Sequence, residues 1–301
     1  MEEKTTAHIP VLLQEVIDVL TIAPDDCVLD GTAGGGGHAE AILRVLGSTG
    51  RYIGIDADAT AIERVRARLH DDPRVTLICG NFRTLDELAC VAGVTRVTKI
   101  LLDLGLSSDQ LTGNGRGRGF TFQTDEPLVM TLDANPTSET LTAREVVNEW
   151  AEESLADVIY GFGGEPRARK IARAIVTARA EAPIETSQAL AGLVEASIGR
   201  RGAIHPATRT FQAIRIAVND ELGALAMALD KSIHLLAPGG RLAVISFHSL
   251  EDGLVKRTFR TWRDAGQGTT LTKKPIIPSS TEARENRRAR SAKLRAFEKA
   301  P

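Results

Sequence analysis

The sequence predicts an α/β fold, a parallel sheet covered by helices and interrupted by an inserted all-helical domain. Three observations carry this expectation. Through the first third of the chain, short apolar segments ending on an acid or a glycine alternate with helical patterns, which implies right-handed crossovers and a ligand site at the carboxyl ends of the strands. A run of four glycines, Gly34-Gly35-Gly36-Gly37, follows the first of these segments. Arg241 to His248 reads as a further core strand far along the chain, so the core domain is discontinuous.

Taken in order, the apolar spacing from Val11 to Leu20 predicts a helix. Cys27-Val-Leu-Asp30 is a short buried strand, the glycines form a tight turn, and Ala39 to Leu46 is a helix. Strands follow at Arg51–Asp56, Val75–Gly80 and Lys99–Gly105, with a helix over Ala59–Leu69. After Asp103 the alternation stops. Ser107 to Gly119 brings glycines, polar residues, Arg116 and Arg118 ahead of Phe120-Thr-Phe122, and helices are predicted over Ala143–Val158, Arg167–Ala180 and Ser187–Ile198. A long helix from Ala207 to Leu236 carries Phe211, Ile214, Val218, Leu222, Leu225 and Leu229 on one stripe. The turn Ala237-Pro-Gly-Gly240 then leads into the last core strand. Residues 1–109 and 207–301 are expected to form the core domain, and 110–206 the helical insert for substrate recognition.

With 301 residues, 43% hydrophobic and 25% charged, the composition is that of an ordinary globular protein. Cys27, Cys79 and Cys90 form no CxxC pair and lack a His-rich partner, which argues against a zinc site or a disulfide framework; they are expected to be reduced core residues. The N-terminus lacks the features of a signal peptide and no apolar run approaches a membrane span, so the expected location is the cytoplasm. A net charge of −2 announces no nucleic-acid partner. Its distribution is more telling: Arg284, Arg287, Arg288, Arg290, Lys293, Arg295 and Lys299 crowd one stretch, either to meet phosphates or as a solvated helix balanced by Glu282, Glu285 and Glu298.

The glycine loop lets backbone approach a ligand closely and aims the free N–H groups of a helix start above the sheet. Asp56 ends the second strand about 20 residues beyond the glycines, where a nucleotide-binding sheet places the carboxylate that holds ribose hydroxyls; the alternative is that it only caps the next helix. Nicotinamide dinucleotides and S-adenosylmethionine both use such sheets. The dinucleotide fingerprint G-x-G-x-x-G is not supplied by Gly31-Thr-Ala-Gly34-Gly-Gly36. Asp30-x-x-x-Gly34-x-Gly36 and Leu236-Ala-Pro-Gly-Gly240 instead resemble S-adenosylmethionine-dependent methyltransferases, although Thr32 stands where many of them have glycine. Phe82 follows the third strand, where a ring can lie on adenine or simply fill core.

Eight longer motifs occur in order: His8-Ile-Pro-Val-Leu-Leu13, Asp30 to His38, Leu101 to Ser108, Arg118-Gly-Phe-Thr-Phe122, Lys170 to Ile175, His205 to Arg215, Ser246 to Asp252 and Arg288-Ala-Arg-Ser291. Together they closely resemble the bacterial 16S ribosomal RNA cytosine-N4 methyltransferase family, also called MraW, over nearly the whole chain. The resemblance implies a Rossmann-like class I methyltransferase fold and S-adenosyl-L-methionine as cofactor. It further implies methylation of N4 of a cytidine in the decoding region of 16S rRNA in the small ribosomal subunit. By motif match, Gly36, Gly37, His38, Asp56, Phe82, Asp103 and Gln110 would line the cofactor site. Pro127-Leu-Val-Met-Thr-Leu-Asp133 and Tyr160-Gly-Phe-Gly-Gly-Glu165 depart from the family pattern, and both lie in the insert.

Asp103 is the candidate catalytic acceptor for an N4 hydrogen, through its carboxylate or its backbone carbonyl; the rival role is cofactor holding alone. The target base is expected to be unstacked into a cleft between the two domains. Arg116, Arg118, His205, Arg209 and Arg215 are the candidate RNA contacts; Gln212, Arg215 and Asn219 share one helical face opposite the apolar stripe, suited to RNA or to domain contacts, the alternative being a solvated face. His248 either touches substrate or is a satisfied core histidine. No metal site and no membrane partner are expected. A nicotinamide oxidoreductase, disfavoured by the glycine spacing, and a non-catalytic RNA-binding assembly factor are the competing functions.

Overall fold

A computed structural model describes residues 10–106, 117–200, 202 and 204–301. The chain divides into two compact units, one of the described residues up to Gly105 together with Leu222–Pro301, the other spanning Leu106–Glu221.

The first unit begins with α1 (Leu13–Leu20), β1 (Cys27–Asp30), α2 (Gly37–Val45), β2 (Arg51–Asp56), α3 (Ala59–Leu69), β3 (Val75–Cys79), α4 (Leu85–Val91) and β4 (Val97–Asp103). In β1, β2 and β4, side chains of successive residues go to opposite faces of the sheet. Leu29, Ile53, Ile100 and Leu102 join one buried cluster, with Leu85 and Ala89 of α4. Val28, Tyr52 and Leu101 join the other, with Val16, Leu20, Ile42 and Val65 from α1, α2 and α3. A sheet buried on both faces reads as a near-continuous apolar run, which is why these strands were legible.

Numbering the helices of the second unit α5 (Ala143–Glu149), α6 (Glu152–Gly161), α7 (Ala168–Glu181), α8 (Ser187–Ile198) and α9 (Thr208–Asn219), the first unit resumes with α10 (Glu221–Leu235), β5 (Leu236–Ser246) and α11 (Ser249–Asp264). It is completed by β6 (Gly268–Thr270), α12 (Ser280–Glu285) and β7 (Lys293–Lys299). The sheet order is β3-β2-β1-β4-β5-β7-β6. β1 pairs in parallel with both β2 and β4, and β4 in parallel with β5. β7 runs antiparallel to β5 and β6. This is the mostly parallel, Rossmann-like sheet expected from the sequence. Chain direction across the sheet reverses between β1 and β4, so the crevice at their carboxyl ends is where the fold admits a ligand.

Several expectations are corrected. The basic stretch near residue 290 is not a single solvated helix: α12 and a short 3₁₀ turn lead into β7, inside the sheet. There Arg295 is 6% exposed and its Nε donates to Asp252 Oδ1 at 2.7 Å, while Phe297 packs with Phe259 and Trp262 at ring separations of 5.4 and 5.2 Å. The single helix foreseen over Ala207–Leu236 is two, because Asp220 takes a left-handed φ of 47°. Ala143–Val158 is likewise two, broken where Trp150 and Ala151 are extended. All three cysteines are free; Cys79 and Cys90 are exposed and are not core residues, whereas Cys27 is partly buried and packs against the core of the first unit.

In the second unit, Val146, Leu155, Ile159, Ile171, Ile175, Leu190, Val194, Phe211 and Ile214 form one buried cluster. The boundary therefore differs from the expected 206/207: α9 belongs with the helices that precede it, since its apolar stripe closes their core.

Candidate active site

At the end of β1, Asp30 is buried and accepts three hydrogen bonds: from Tyr52 Oη at 2.9 Å, from the Thr32 amide at 3.0 Å and from Thr32 Oγ1 at 3.2 Å. Burial pushes its carboxyl up to about 6, opposed by the neighbouring His38 ring. Thr32, the departure from a more usual glycine, also accepts the Asp103 amide on Oγ1 at 2.6 Å. Its hydroxyl thereby ties the carboxyl end of β1 to that of β4.

Gly34 and Gly36 have φ values of 52° and 77°, left-handed conformations in which a side chain is strained. The loop is held from both sides. Asp56 Oδ2 accepts the Gly34 amide at 2.8 Å while Oδ1 accepts the Asp58 amide at 2.8 Å. Arg68, from α3, donates Nη1 to the Gly35 carbonyl at 2.8 Å and forks onto Glu40 with Nε and Nη2 at 2.8 and 2.9 Å. Asp56 is not the cap of α3; that is Asp58, whose Oδ1 accepts the Thr60 amide at 2.9 Å. Burial raises the Asp56 carboxyl above its ordinary value, and the two amides pull it back. Each of its oxygens keeps a lone pair for another donor.

Asp103 ends β4 with 18% of its side chain exposed. Its Oδ2 lies 3.7 Å from His38 Nδ1, and its buried Oδ1 has no hydrogen-bond partner among the described residues. Burial lifts its carboxyl to about 7, with Arg288 pulling down and Glu251 pushing up. His38, in the first turn of α2, contacts the Val11 carbonyl through Nε2 at 3.1 Å. Phe82 is half-buried in a 3₁₀ turn after β3; a Cβ on Gly31 would come within 3.2 Å of its Cβ, which sets the ring's root beside the end of β1. Gly36, Gly37, His38, Asp56, Phe82 and Asp103 thus sit at strand ends, in the turns that follow β1 and β3, or in the first turn of α2. Gln110 lies outside the described residues. His248 is the N-cap of α11, accepting the Glu251 amide on Nδ1 at 3.4 Å.

The candidate RNA residues have partners within the helical unit. Arg118 donates to the Thr131 and Leu132 carbonyls at 3.1 and 2.8 Å, and its guanidinium lies 5.5 Å from the centre of the Phe120 ring. Arg215 forks onto Glu221 at 2.8 and 2.9 Å, and Asn219 bridges Leu132 and Met130. The His205 ring lies tilted against Phe122 with centroids 4.5 Å apart, and its Nε2 is 3.3 Å from Glu195. Among the described ones Arg209 is the most outward, its side chain 54% exposed beside Glu165 and the Gly164 carbonyl. Arg116 lies outside the described residues.

Tyr52, Arg68 and Arg288 act on the site without having been marked as site residues by the sequence. A tyrosine within an apolar strand and an arginine in an amphipathic helix carry no local signal. Arg288 lies in the Arg288-Ala-Arg-Ser291 motif, which carries the family resemblance but does not tell that its charge acts on Asp103.

The description "MraW methylase family" matches residues 5–300. A relative from Deinococcus radiodurans, named Ribosomal RNA small subunit methyltransferase H, is 48% identical over 297 residues, covering 98% of this chain and 91% of that protein. Relatives of the same name from Thermomicrobium roseum and Coprothermobacter proteolyticus are 48% and 44% identical, covering 98% and 97% of this chain and 94% and 96% of theirs. Among the described residues no helix is long and apolar enough to cross a membrane. With the match spanning almost its full length, this chain belongs to the MraW methylase family.

Proposed function

We propose that this protein methylates the N4 amino group of a specific cytidine in the decoding region of 16S rRNA, within the small ribosomal subunit, using S-adenosyl-L-methionine. The observation that carries the reading is Asp103: a carboxylate at the end of β4, beside the glycine loop, with one buried oxygen that has no partner among the described residues. Buried polar atoms are normally satisfied, and an exception calls for a ligand or a chemical role.

The donor set suits the cofactor. Asp56 offers carboxylate lone pairs for ribose hydroxyls, Phe82 an aromatic face for adenine, and Gly36, Gly37 and His38 the start of α2 for the polar end of the molecule. When bound, the cofactor supplies an electrophilic methyl group on a sulfonium sulfur. Cytosine N4 is a poor nucleophile because its lone pair is delocalised into the ring. Asp103 Oδ1 accepts an N4 hydrogen, which lets the nitrogen pyramidalise and localises that pair. Thr32 holds the Asp103 backbone, so the acceptor is placed before substrate arrives and little ordering remains to be done in the transition state.

Arg209 and the exposed Arg284, Arg287 and Arg290 are the side chains we assign to phosphate contact. Their number is small for a chain of net charge −2, so naked RNA should bind weakly and lose affinity with salt. Specificity then comes from shape and an unstacked base, and the preferred substrate is an assembled small subunit.

The test is transfer of labelled methyl from S-adenosylmethionine to small subunits and to deproteinised RNA at equal concentration, with the product mapped by mass. Label on a cytidine N4, faster on the particle, is expected. Label on another atom or base refutes the cytidine assignment, and equal initial rates on naked RNA refute presentation by the particle. No transfer to either substrate favours the non-catalytic assembly factor.

A further inference from the structure

His38 is 6% exposed and its Nε2 lies 3.1 Å from the Val11 carbonyl oxygen. A carbonyl only accepts, so Nε2 carries a hydrogen. Burial lowers the ring's affinity for a second proton, opposed by Asp30 and by the Val11 hydrogen bond. The neutral ring therefore presents a bare lone pair at Nδ1. That lone pair faces Asp103 Oδ2 across 3.7 Å, a little beyond hydrogen-bond length, as acid–base partners often are before substrate binds. Two lone pairs facing each other in a largely buried site repel, and one proton between them removes the repulsion.

The groups around the pair settle where that proton resides. Asp30 from β1 adds negative charge near both, Glu251 from α11 acts in the same direction on Asp103, and Arg288 from the 3₁₀ turn before β7 opposes them. Burial dominates, so the Asp103 carboxyl holds a proton up to about pH 7.

We propose that His38 Nδ1 and Asp103 Oδ2 share one proton, and that this leaves Oδ1 as the atom that takes the N4 hydrogen, with His38 as the proton's final holder. The N4–H bond breaks as Oδ1–H forms; the Oδ2–H bond breaks as Nδ1–H forms. The carboxyl ends neutral, as it began, and His38 ends as an imidazolium. The positive charge released by methyl transfer is thus kept inside the site and is lost to solvent after product leaves. His38 acts through Asp103 and is a positioning residue. The role rests on the N4-methylation reading, but the proton's place does not.

The ionisation state is measured on the substrate-free protein by nitrogen NMR with labelled histidine. Expected is a neutral Nε2–H ring for His38 near pH 7, its Nδ1 resonance moved by Asp103→Asn. An imidazolium at that pH, or an Nδ1–H tautomer, overturns the shared proton whatever the substrate proves to be. The second arm compares His38→Asn and His38→Gln with wild type, using subunits. With cofactor held saturating and its affinity followed by calorimetry, expected is kcat lower by about 10-fold or more and loss of one ionisation from the pH–rate profile. Unchanged kcat with an unchanged profile in a folded variant overturns the relay. A fall in cofactor affinity alone, with the profile intact, assigns His38 to binding only.

Discussion

The Thr32 hydroxyl sits between two carboxylate-bearing strand ends, accepting the Asp103 amide at 2.6 Å and reaching Asp30 Oδ1 at 3.2 Å. Its removal leaves a buried amide without an acceptor, which costs about 1 to 3 kcal/mol. Thr32→Val should therefore lower unfolding free energy by that amount and slow methyl transfer. Thr32→Ser should restore both. Urea unfolding and single-turnover rates on the two variants check this, and a stable, fully active valine variant would disconnect the hydroxyl from the site.

The pH dependence of stability follows from two carboxyls raised by burial, Asp30 to about 6 and Asp103 to about 7. Unfolded aspartates titrate near ~3.9. Between those values the folded state binds more protons than the unfolded, so stability falls as pH rises through this window. The contribution is fully present below about pH 4 and gone above the folded values. Asp103→Asn, which carries no charge to bury, should flatten the upper part of the slope. Denaturation midpoints of both proteins at a series of pH values decide it; because buried His38, lowered in the fold, acts in the opposite sense, the comparison is between the two proteins, and equal slopes in wild type and Asp103→Asn contradict the burial of this charge.

The glycine loop is clamped by Arg68 on one side and Asp56 on the other. Arg68 and Glu40 are each about one-third exposed, so solvent screens the pair and the fold should lose less than about 1 kcal/mol in Arg68→Met. Cofactor affinity should fall by more than stability does, about 3- to 10-fold, because the Gly35 carbonyl is released. Asp56→Ala should weaken binding further, by roughly 1.5 to 3 kcal/mol, if charge-assisted bonds to ribose are lost with the loop anchor. Calorimetry reads both, and unchanged affinity in the alanine variant would remove Asp56 from the cofactor site.

Where α9 belongs can be tested by deletion. Replacing residues 112–204 with a linker strands α9, leaving Phe211 and Ile214 without their buried neighbours. That protein should aggregate. Replacing 106–221 removes the cluster as a whole and should leave a folded core that binds S-adenosylmethionine but methylates no RNA. RNA methylation by such a core would contradict the role proposed for the helical unit.

The sequence made β1 to β4 and the glycine loop legible because each signal is local: an apolar run, a carboxylate at its end, glycines where φ is positive. β7 was hidden because Arg295, in the middle of Lys293-Leu-Arg-Ala-Phe-Glu-Lys299, looks solvated and is instead paired in the interior with Asp252, 43 residues earlier. The break at Asp220 was hidden because the apolar stripe continues past it, while one left-handed residue ends α9. At the site, Asp103 and Asp56 could be placed from strand ends alone. The Thr32, Tyr52 and Arg68 contacts join residues from different elements, and no spacing rule reports them.

β4 and β5 lie side by side although residues 104–235 intervene. Closing a loop of that length as disordered chain is entropically unfavourable, though each doubling of length adds only about 0.6 kcal/mol. If the helical unit condenses first, most of the intervening residues are already compact and the span to be closed is far shorter. Assembly of the sheet then inherits its speed from helices that belong to no strand pair. Val147→Ala, a cavity in the α5 core, should slow β4–β5 pairing in refolding while leaving unfolding of the sheet little changed.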